Sequence, residues 1–444
     1  MSRVLHIGID DTDSPRGGCT TYIAALLVEK FSRMGLTFID YPNLVRLNPN
    51  VPWKTRGNGA VCLRVTGAAE ALEEAKKSTM ETVEKEADLE YAGTDPGIVF
   101  YEGRRLPEEF QGFAKRTIQD VVTQKQASSL IKKFGAEAFA FKEGRGVIGA
   151  LAAVGEDLRG DHTYEFITYR THKNLGTPRR VDKASVLRMD EKTRGITFNN
   201  VNADDGRILI TPRGPDPILY GIRGEYPETV RKADSMIVAQ EEVERWAIFR
   251  TNQGTDAHLR RIRGIHRVRP YSPVVVRGIV SSMPRTIQGG HVILAISDST
   301  GSVDCAAYEP TKEFRNVVRR LIPGDMVEVY GGGRPAFSAR PLTINLEKIR
   351  IMRLGKNIVH ESPFCRNCGK RMKSMGRSKG YRCPKCGQRD PKAEKLLSEV
   401  ERDISLGLHI PPPRAQRHLT KPLSRYGIEK TGLAVAPREP WHYP

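Results

Sequence analysis

The sequence predicts a multidomain α+β protein on three observations. Strand patterns alternate with single helix patterns from residue 3 to 251. Five short glycine-spaced strands enclose one helix pattern after residue 272. Two Cys-x-x-Cys pairs then follow. A chain of 444 residues has room for roughly two to four domains, and 39% hydrophobic residues suffice for their cores. A formal charge of +19 works against folding but suits a polyanionic partner, nucleic acid first. No apolar run of about eighteen residues and no aromatic-anchored basic amphipathic helix supports a membrane partner. Met1-Ser2-Arg3 leads straight into a strand, so no secretory leader is expected and a cytoplasmic location follows. Four of the seven cysteines are spaced as metal ligands and three are scattered, which suits a reducing compartment.

In chain order, residues 3–9 read as a buried strand that ends in Asp10, Asp11 and Asp13. Three carboxylates this close repel one another. A divalent cation makes the cluster tolerable, whereas an Asx turn into a helix cap needs only one acid. Gly17, Gly18, Cys19, Thr20 and Thr21 come next and open a helix pattern over 20–34 that stops at Gly35. A helix N-terminus beside such acids suits a phosphate, so a magnesium–nucleotide site is expected here. The loop before the strand at 60–65 places Lys54 and Arg56 next to Gly57-Asn58-Gly59. Such a segment can aim backbone N–H groups and two cations at a phosphate, or be an ordinary long connection.

Helices are expected at 69–90, 107–135, 147–154 and 227–237, with strands at 98–100, 138–141, 164–170, 207–211, 218–222 and 246–251. That order fits an α+β sandwich of the ferredoxin-like type. Residues 252–272 are basic and turn-rich, as in a linker. Strands at 274–280, 293–298, 302–308, 326–330 and 342–352, with a helix at 311–321 between the third and fourth, match the OB-fold barrel, a nucleic-acid binder or a spacer. Cys365, Cys368, Cys383 and Cys386 form CxxC–x14–CxxC. Four thiolates in two knuckles suit a tetrahedral structural zinc better than a redox pair. A helix is expected at 393–406, then a Pro- and Arg-rich extended arm or solvated tail. The expected domains are therefore 1–125, 126–252, 270–353, 360–390 and 391–444, with residues 60–125 able to pack against either neighbour.

Several long motifs carry a resemblance. Ile9-Asp10-Asp11-Thr12-Asp13, Gly18-Cys19-Thr20-Thr21, Arg46-Leu47-Asn48-Pro49 with Lys54-Thr55-Arg56-Gly57-Asn58-Gly59, Gly144-Arg145-Gly146-Val147, Thr163-Tyr164-Glu165-Phe166 and Leu219-Tyr220-Gly221-Ile222-Arg223-Gly224-Glu225 resemble the archaeal tRNA agmatinylcytidine (agmatidine) synthetases, and the resemblance spans the chain. It implies an N-terminal α/β kinase-like domain using ATP. It also implies an acceptor, the wobble cytidine of the AUA-reading isoleucine tRNA with a CAU anticodon. Phosphorylating the C2 oxygen turns a very poor leaving group into phosphate, which agmatine then displaces. The resemblance implies an autophosphorylated threonine, matched by Thr20, with Asp10, Asp11 and Asp13 holding Mg²⁺ or polarising nucleophiles. From charge and spacing at the matching motif, Lys54 and Arg56 would neutralise phosphoryl charge. Gly17, Gly18, Thr21, Gly57, Asn58 and Gly59 would line the nucleotide. Asp216 and Glu225 are candidates for agmatine's guanidinium, or surface carboxylates in turns. The expected cofactors are ATP, Mg²⁺ and Zn²⁺, with no obligate protein partner. Two rival classes stay open: another ATP-dependent nucleic-acid kinase or ligase, and a non-catalytic OB-fold and zinc-ribbon binder, which leaves the three acids unexplained.

Overall fold

The computed structural model describes residues 3–55, 57–338 and 340–444. Its N-terminal part contains β1 (Arg3–Asp10), α1 (Thr20–Arg33), β2 (Asn43–Arg46), β3 (Gly59–Gly67), α2 (Ala69–Glu86), β4 (Gly97–Glu102), α3 (Glu108–Gln119), α4 (Gln124–Phe134), β5 (Glu137–Ala140) and α5 (Gly146–Gly155). These strands pair antiparallel in the order β5-β4-β1-β3-β2. The α/β arrangement expected here is thus corrected to α+β: helices cover both faces, but among the described residues no parallel crossover joins these strands. The second part adds β6 (Thr163–Arg170), α6 (Lys183–Lys192), β7 (Ile218–Gly224), α7 (Pro227–Asp234) and β8 (Val243–Thr251). β8 runs parallel to β2, with Arg250 opposite Asn43, and β6 and β7 continue outward from it. One sheet therefore passes through both of the first two expected domains.

The period of two along β1 sets the layers. Leu5, Ile7 and Ile9 enter a core with Ile23, Leu27 and Phe31 of α1 and Leu72 of α2. Gly8 and Asp10 face the other way, onto α5. A Cβ on Gly8 would lie 2.1 Å from the Ala150 carbonyl oxygen, so this small-residue helix packs backbone against backbone on the strand. Arg64 on β3 closes the helix end, donating from Nη2 to the carbonyls of Ala153 (3.3 Å), Val154 (3.2 Å) and Glu156 (2.8 Å). A buried guanidinium at a helix C-terminus offsets the dipole there.

The barrel comprises β9 (Pro273–Val280), β10 (His291–Asp298), β11 (Gly301–Ala307), α8 (Glu313–Arg319), β12 (Met326–Arg334) and β13 (Thr343–Arg353). The parallel β11–β13 pair and the β9–β10 pair close it, with the helix between the third and fourth strands as expected. Residues 252–272 do not behave as a free linker. His258 is buried 2.8 Å from Glu347 of the barrel, and Lys348 is bonded to Asp256.

Two expectations for the C-terminal region are corrected. Residues 393–406 form no helix: Leu396–Glu399 is a strand antiparallel to Ile358–Glu361. Good helix formers here lose to a partner strand, as intrinsic propensity does when pairing is on offer. The segment after residue 410 is neither a free arm nor a solvated tail. Arg425 is buried and pairs with Glu225 (2.5 Å) and Asp161 (2.8 Å). Trp441 enters the N-terminal core edge-on to Phe38 at 5.1 Å, and His442–Tyr443 pairs with β8.

Candidate active site

Asp10 ends β1 on the face covered by α5. A Cβ on Gly149 would fall 1.8 Å from its Oδ2, so glycine lets the helix approach the acid. Burial, and then the neighbouring Asp11, push the Asp10 carboxyl well above the usual carboxylate range. Asp11 takes a left-handed backbone (φ 59°) that turns its carboxylate to Arg145, which donates at 3.0 and 2.7 Å. Burial raises Asp11 too. The Asp13 carbonyl accepts from Thr94 (2.9 Å) and Thr55 (3.4 Å), which pins the loop. Gly18 has φ 76°, and a Cβ there would sit 3.1 Å from the Thr12 oxygen, so this tight return requires glycine. The return delivers Thr20, the first residue of α1, to a position where its hydroxyl lies 3.0 Å from that of Thr12. The N-cap is Cys19, with no side-chain cap hydrogen bond.

These residues line two adjacent cavities. One, of about 570 Å³, contains Asp10, Asp11, Asp13, Lys54, Asn58, Asp95, Asp120, Glu143 and Arg145. The second, of about 410 Å³, contains Thr20, Thr21, Arg46, Glu165, Arg213, Asp216, Arg223, Arg414, Arg417 and His418. Asp13, Gly57 and Gly59 line both. The glycines have a steric reason: a Cβ on Gly59 would lie 3.0 Å from Nη1 of Arg46, and one on Gly57 2.9 Å from the His418 ring. Asn58 acts as a latch, donating to the Asn48 carbonyl at 2.9 Å.

The structure thus brings together Asp10, Asp11, Asp13, Lys54, Gly57, Asn58 and Gly59, and sets Thr20 and Thr21 across the shared wall. Gly17 pairs with Ser14 (2.8 Å) in the hairpin behind them. Arg56 lies outside the described residues. Asp216 lines the second cavity and accepts from Arg179 at 3.1 Å. Glu225 lines neither and is occupied by Arg425 and Lys430, the latter at 2.7 Å. Among the described residues, only the four cysteines gather three or more ligand-type atoms within 4.8 Å of one another; the three aspartates do not.

Sequence reasoning missed Glu165, Gln253 and His418. Glu165 sits on β6, accepting from Arg223 (3.0 Å) and from the Gln253 amide, with Arg46 at 4.0 Å. A lone carboxylate inside an otherwise aromatic and β-branched strand was the available signal. His418 comes from the tail, where nothing local marks it.

The thiols sit in two knuckles. Gly369 donates to the Cys365 carbonyl (2.8 Å) and Gly387 to that of Cys383 (3.1 Å). The sulfur separations are 3.5 Å for Cys365–Cys386, 3.4 Å for Cys368–Cys383 and 3.6 Å for Cys368–Cys386. A tetrahedron with ~2.3 Å bonds spaces its sulfurs about 3.8 Å apart, so the residues fit zinc.

Comparison with known proteins matches four stretches of the chain. Residues 6–143 match the TiaS TCKD domain, 144–258 the TiaS FLD domain, 274–352 an OB-fold nucleic acid binding domain and 362–404 the TiaS C-terminal zinc ribbon domain. The tRNA 2-agmatinylcytidine synthetase TiaS of Methanocaldococcus jannaschii is 43% identical over 95% of this chain and 98% of its own. The chain belongs to the TiaS family. The TiaS of Methanosarcina mazei is 44% identical over 95% of the chain and 97% of its own length. A crystal structure of a TiaS–tRNA–ATP complex is similar over 98% of this chain and 100% of that one, at 42% identity and TM-score 0.87. A TiaS–tRNA–AMPCPP–agmatine complex is similar over the same shares, at 40% identity and TM-score 0.84.

Proposed function

We propose that the protein is an ATP-dependent tRNA-modifying ligase. It attaches agmatine to C2 of the wobble cytidine in the isoleucine tRNA that carries a CAU anticodon, through phosphorylation of the C2 oxygen. One observation carries the reading: an acid-rich and an arginine-rich cavity meet at Asp13, Gly57 and Gly59, in a chain 43% identical to a tRNA 2-agmatinylcytidine synthetase over 95% of its length. ATP takes the acid-rich cavity. Asp10 and Asp13 would hold Mg²⁺ there, since a nucleotide-bound magnesium needs only one or two protein carboxylates. The ion supplies charge neutralisation for the transferring phosphoryl group. Asp11 fixes Arg145, and Lys54 faces the transferred charge. Thr20, at the N-terminus of α1, is the group we assign to carry a phosphate, since the N–H groups of a first helical turn favour an anion. This is the kinase-like part of the chain.

The wobble cytidine takes the arginine-rich cavity, where its phosphates find complementary charge. An anticodon-loop base is already unpaired, so bringing it in costs little. Of the two carboxylates considered for agmatine, Asp216 stands at this cavity and Glu225 holds the tail instead. The barrel and the zinc ribbon position the tRNA, and Cys365, Cys368, Cys383 and Cys386 hold the zinc. The reactants, ATP and tRNA, suit the cytoplasm; among the described residues no helix is long and apolar enough to cross a membrane. The test is incorporation of labelled agmatine by purified protein with ATP, Mg²⁺ and tRNA. Thr20→Ala should abolish it while leaving tRNA affinity within about threefold. Incorporation by Thr20→Ala at the wild-type rate refutes the phosphate-carrying role, and none by the wild type refutes the ligase reading.

A further inference from the structure

We propose that His418, brought to the cavity by the C-terminal tail, is a catalytic residue of the joining step: its Nε2 accepts the proton that the amine gives up as nitrogen bonds to C2. The inference rests on the proposed ligase reading and adds a residue to it. Hydrogen-bond roles settle which ring nitrogen is open. Glu165, accepting from Arg223 at 3.0 Å, has only oxygens to offer, so the Gln253 side chain must turn its NH₂ toward it. The carbonyl oxygen of Gln253 then faces Nδ1 of His418 at 3.0 Å. An oxygen there can only accept, so Nδ1 carries the hydrogen. A neutral ring with hydrogen on Nδ1 presents a lone pair at Nε2.

That lone pair stands at the right place. The Nε2 and Cδ2 atoms each lie 2.9 Å from where a Cβ on Gly57 would be, and Gly57 lines both cavities. The ring therefore stands where a phosphoryl group arriving from the acid-rich side meets the base. Arg46 foremost, with Arg223 and Lys54, surrounds the exposed ring with positive charge and lowers its pKa, so it enters the reaction neutral. A phosphorylated base at this junction would offset those cations and make the ring a better acceptor. The step balances. The neutral amine forms the N–C2 bond, and the C2–O bond breaks with its electron pair leaving on phosphate. One amine proton passes to Nε2 and from there to solvent.

The experiment uses the full chain and compares His418→Ala with His418→Asn, whose amide nitrogen can take over the Nδ1 donor position without supplying a base. Agmatine joining, ATP consumption and tRNA affinity are measured separately, with and without added imidazole. Both variants should join agmatine about 100-fold more slowly, as loss of a general base costs. ATP consumption and tRNA affinity should stay within about threefold. Imidazole should restore at least about tenfold to His418→Ala. Wild-type joining by His418→Asn overturns the proposal, because a structural ring is all that variant replaces. An equal loss of tRNA affinity or of ATP consumption overturns it, as does slow joining that imidazole leaves unchanged. Failure of the wild type to join agmatine is a different result and refutes the ligase reading.

Discussion

The cavity of Asp10 and Lys54 is lined by six carboxylates (Asp10, Asp11, Asp13, Asp95, Asp120, Glu143) against Lys54 and Arg145. Its neighbour carries three (Asp13, Glu165, Asp216) against five arginines, Arg46, Arg213, Arg223, Arg414 and Arg417. The first has an excess of negative charge, which the proposed Mg²⁺–nucleotide would offset. The second accepts a polynucleotide as it is. Charge thus sorts the two reactants before shape does. It also sets a direction, because a phosphoryl group passing the Asp13 wall leaves carboxylates behind and approaches guanidinium groups. The two cavities differ in origin as well. Every lining residue of the first lies between Asp10 and Gly149, whereas the second draws on β6, β7 and the tail beyond residue 412.

The shared wall is where the contrast can be broken outright. Asp13→Asn keeps the shape and removes the charge both cavities see. Agmatine joining should fall by about 10³-fold or more, the scale of a lost electrostatic group in a transition state. Affinity for tRNA should stay within about threefold, measured by filter binding beside the activity assay. A similar loss in both readouts would mean the wall shapes the tRNA site rather than the transfer.

The tail gives the next largest effect. Arg425→Ala removes a buried guanidinium from between Glu225 and Asp161, which keep Lys430 (2.7 Å) and Lys421 (3.0 Å), so the loss of its hydrogen bonds should cost about 1–3 kcal/mol. Chemical denaturation should show the loss, and joining should drop because the tail carries Arg414, Arg417 and His418. Unchanged unfolding would show that the tail is held elsewhere, by Trp441 and the His442–Tyr443 strand. A smaller effect tests the sorting by charge. Arg213→Ala with Arg414→Ala removes two cations from the second cavity only. If both meet phosphates, affinity for tRNA should fall roughly 10- to 30-fold at 0.15 M salt and the salt slope should flatten by about 1.4 to 1.8. The ATP KM should not move.

How much of this is legible in the sequence follows the same division. Asp10, Asp11, Asp13, Lys54 and Gly57–Gly59 announce themselves, because incompatible charges and glycines cluster within short stretches. The CxxC pairs and the five-strand barrel are equally local signals. The second cavity is only partly announced, by Thr20, Thr21 and Asp216. Glu165, Gln253 and His418 come from three distant segments, and only the fold makes them neighbours. The tail reads as solvated because prolines and arginines dominate it. Arg425 is nonetheless buried, which no composition rule anticipates for a side chain that needs two carboxylates, one just after β7 and one just before β6. The strand at Leu396–Glu399 escapes a local reading for a related reason: its partner lies more than thirty residues upstream.

The smallest predicted effect concerns the floor of the acid-rich cavity. Helix α5 points its N-terminus at the acids, where Asp95 accepts from the Gly144 (2.8 Å) and Arg145 (2.9 Å) amides, and Arg64 closes its other end. Arg64 is steered by His6, whose Nδ1 lies 2.6 Å from Nη1 while Nε2 meets the Gly103 carbonyl at 2.8 Å. The ring is therefore neutral, with its hydrogen on Nε2. Burial, and then Arg64, lower its pKa to about 3. The unfolded chain takes up this proton near pH 6.5 and the folded chain does not, so the unfolded state binds more protons between pH 6.5 and about 3. Stability must then rise with pH through that window and be lost on acidification. At ~1.36 kcal/mol per unit the loss from this one ring is about 1.4 kcal/mol by pH 5.5. His6→Phe should be less stable at pH 8, having lost both hydrogen bonds, yet its unfolding free energy should fall less steeply from pH 7 to 5.5. Parallel curves for the two proteins would show that His6 takes up a proton as readily in the fold as in the unfolded chain, so that its bond to Arg64 does not hold it neutral.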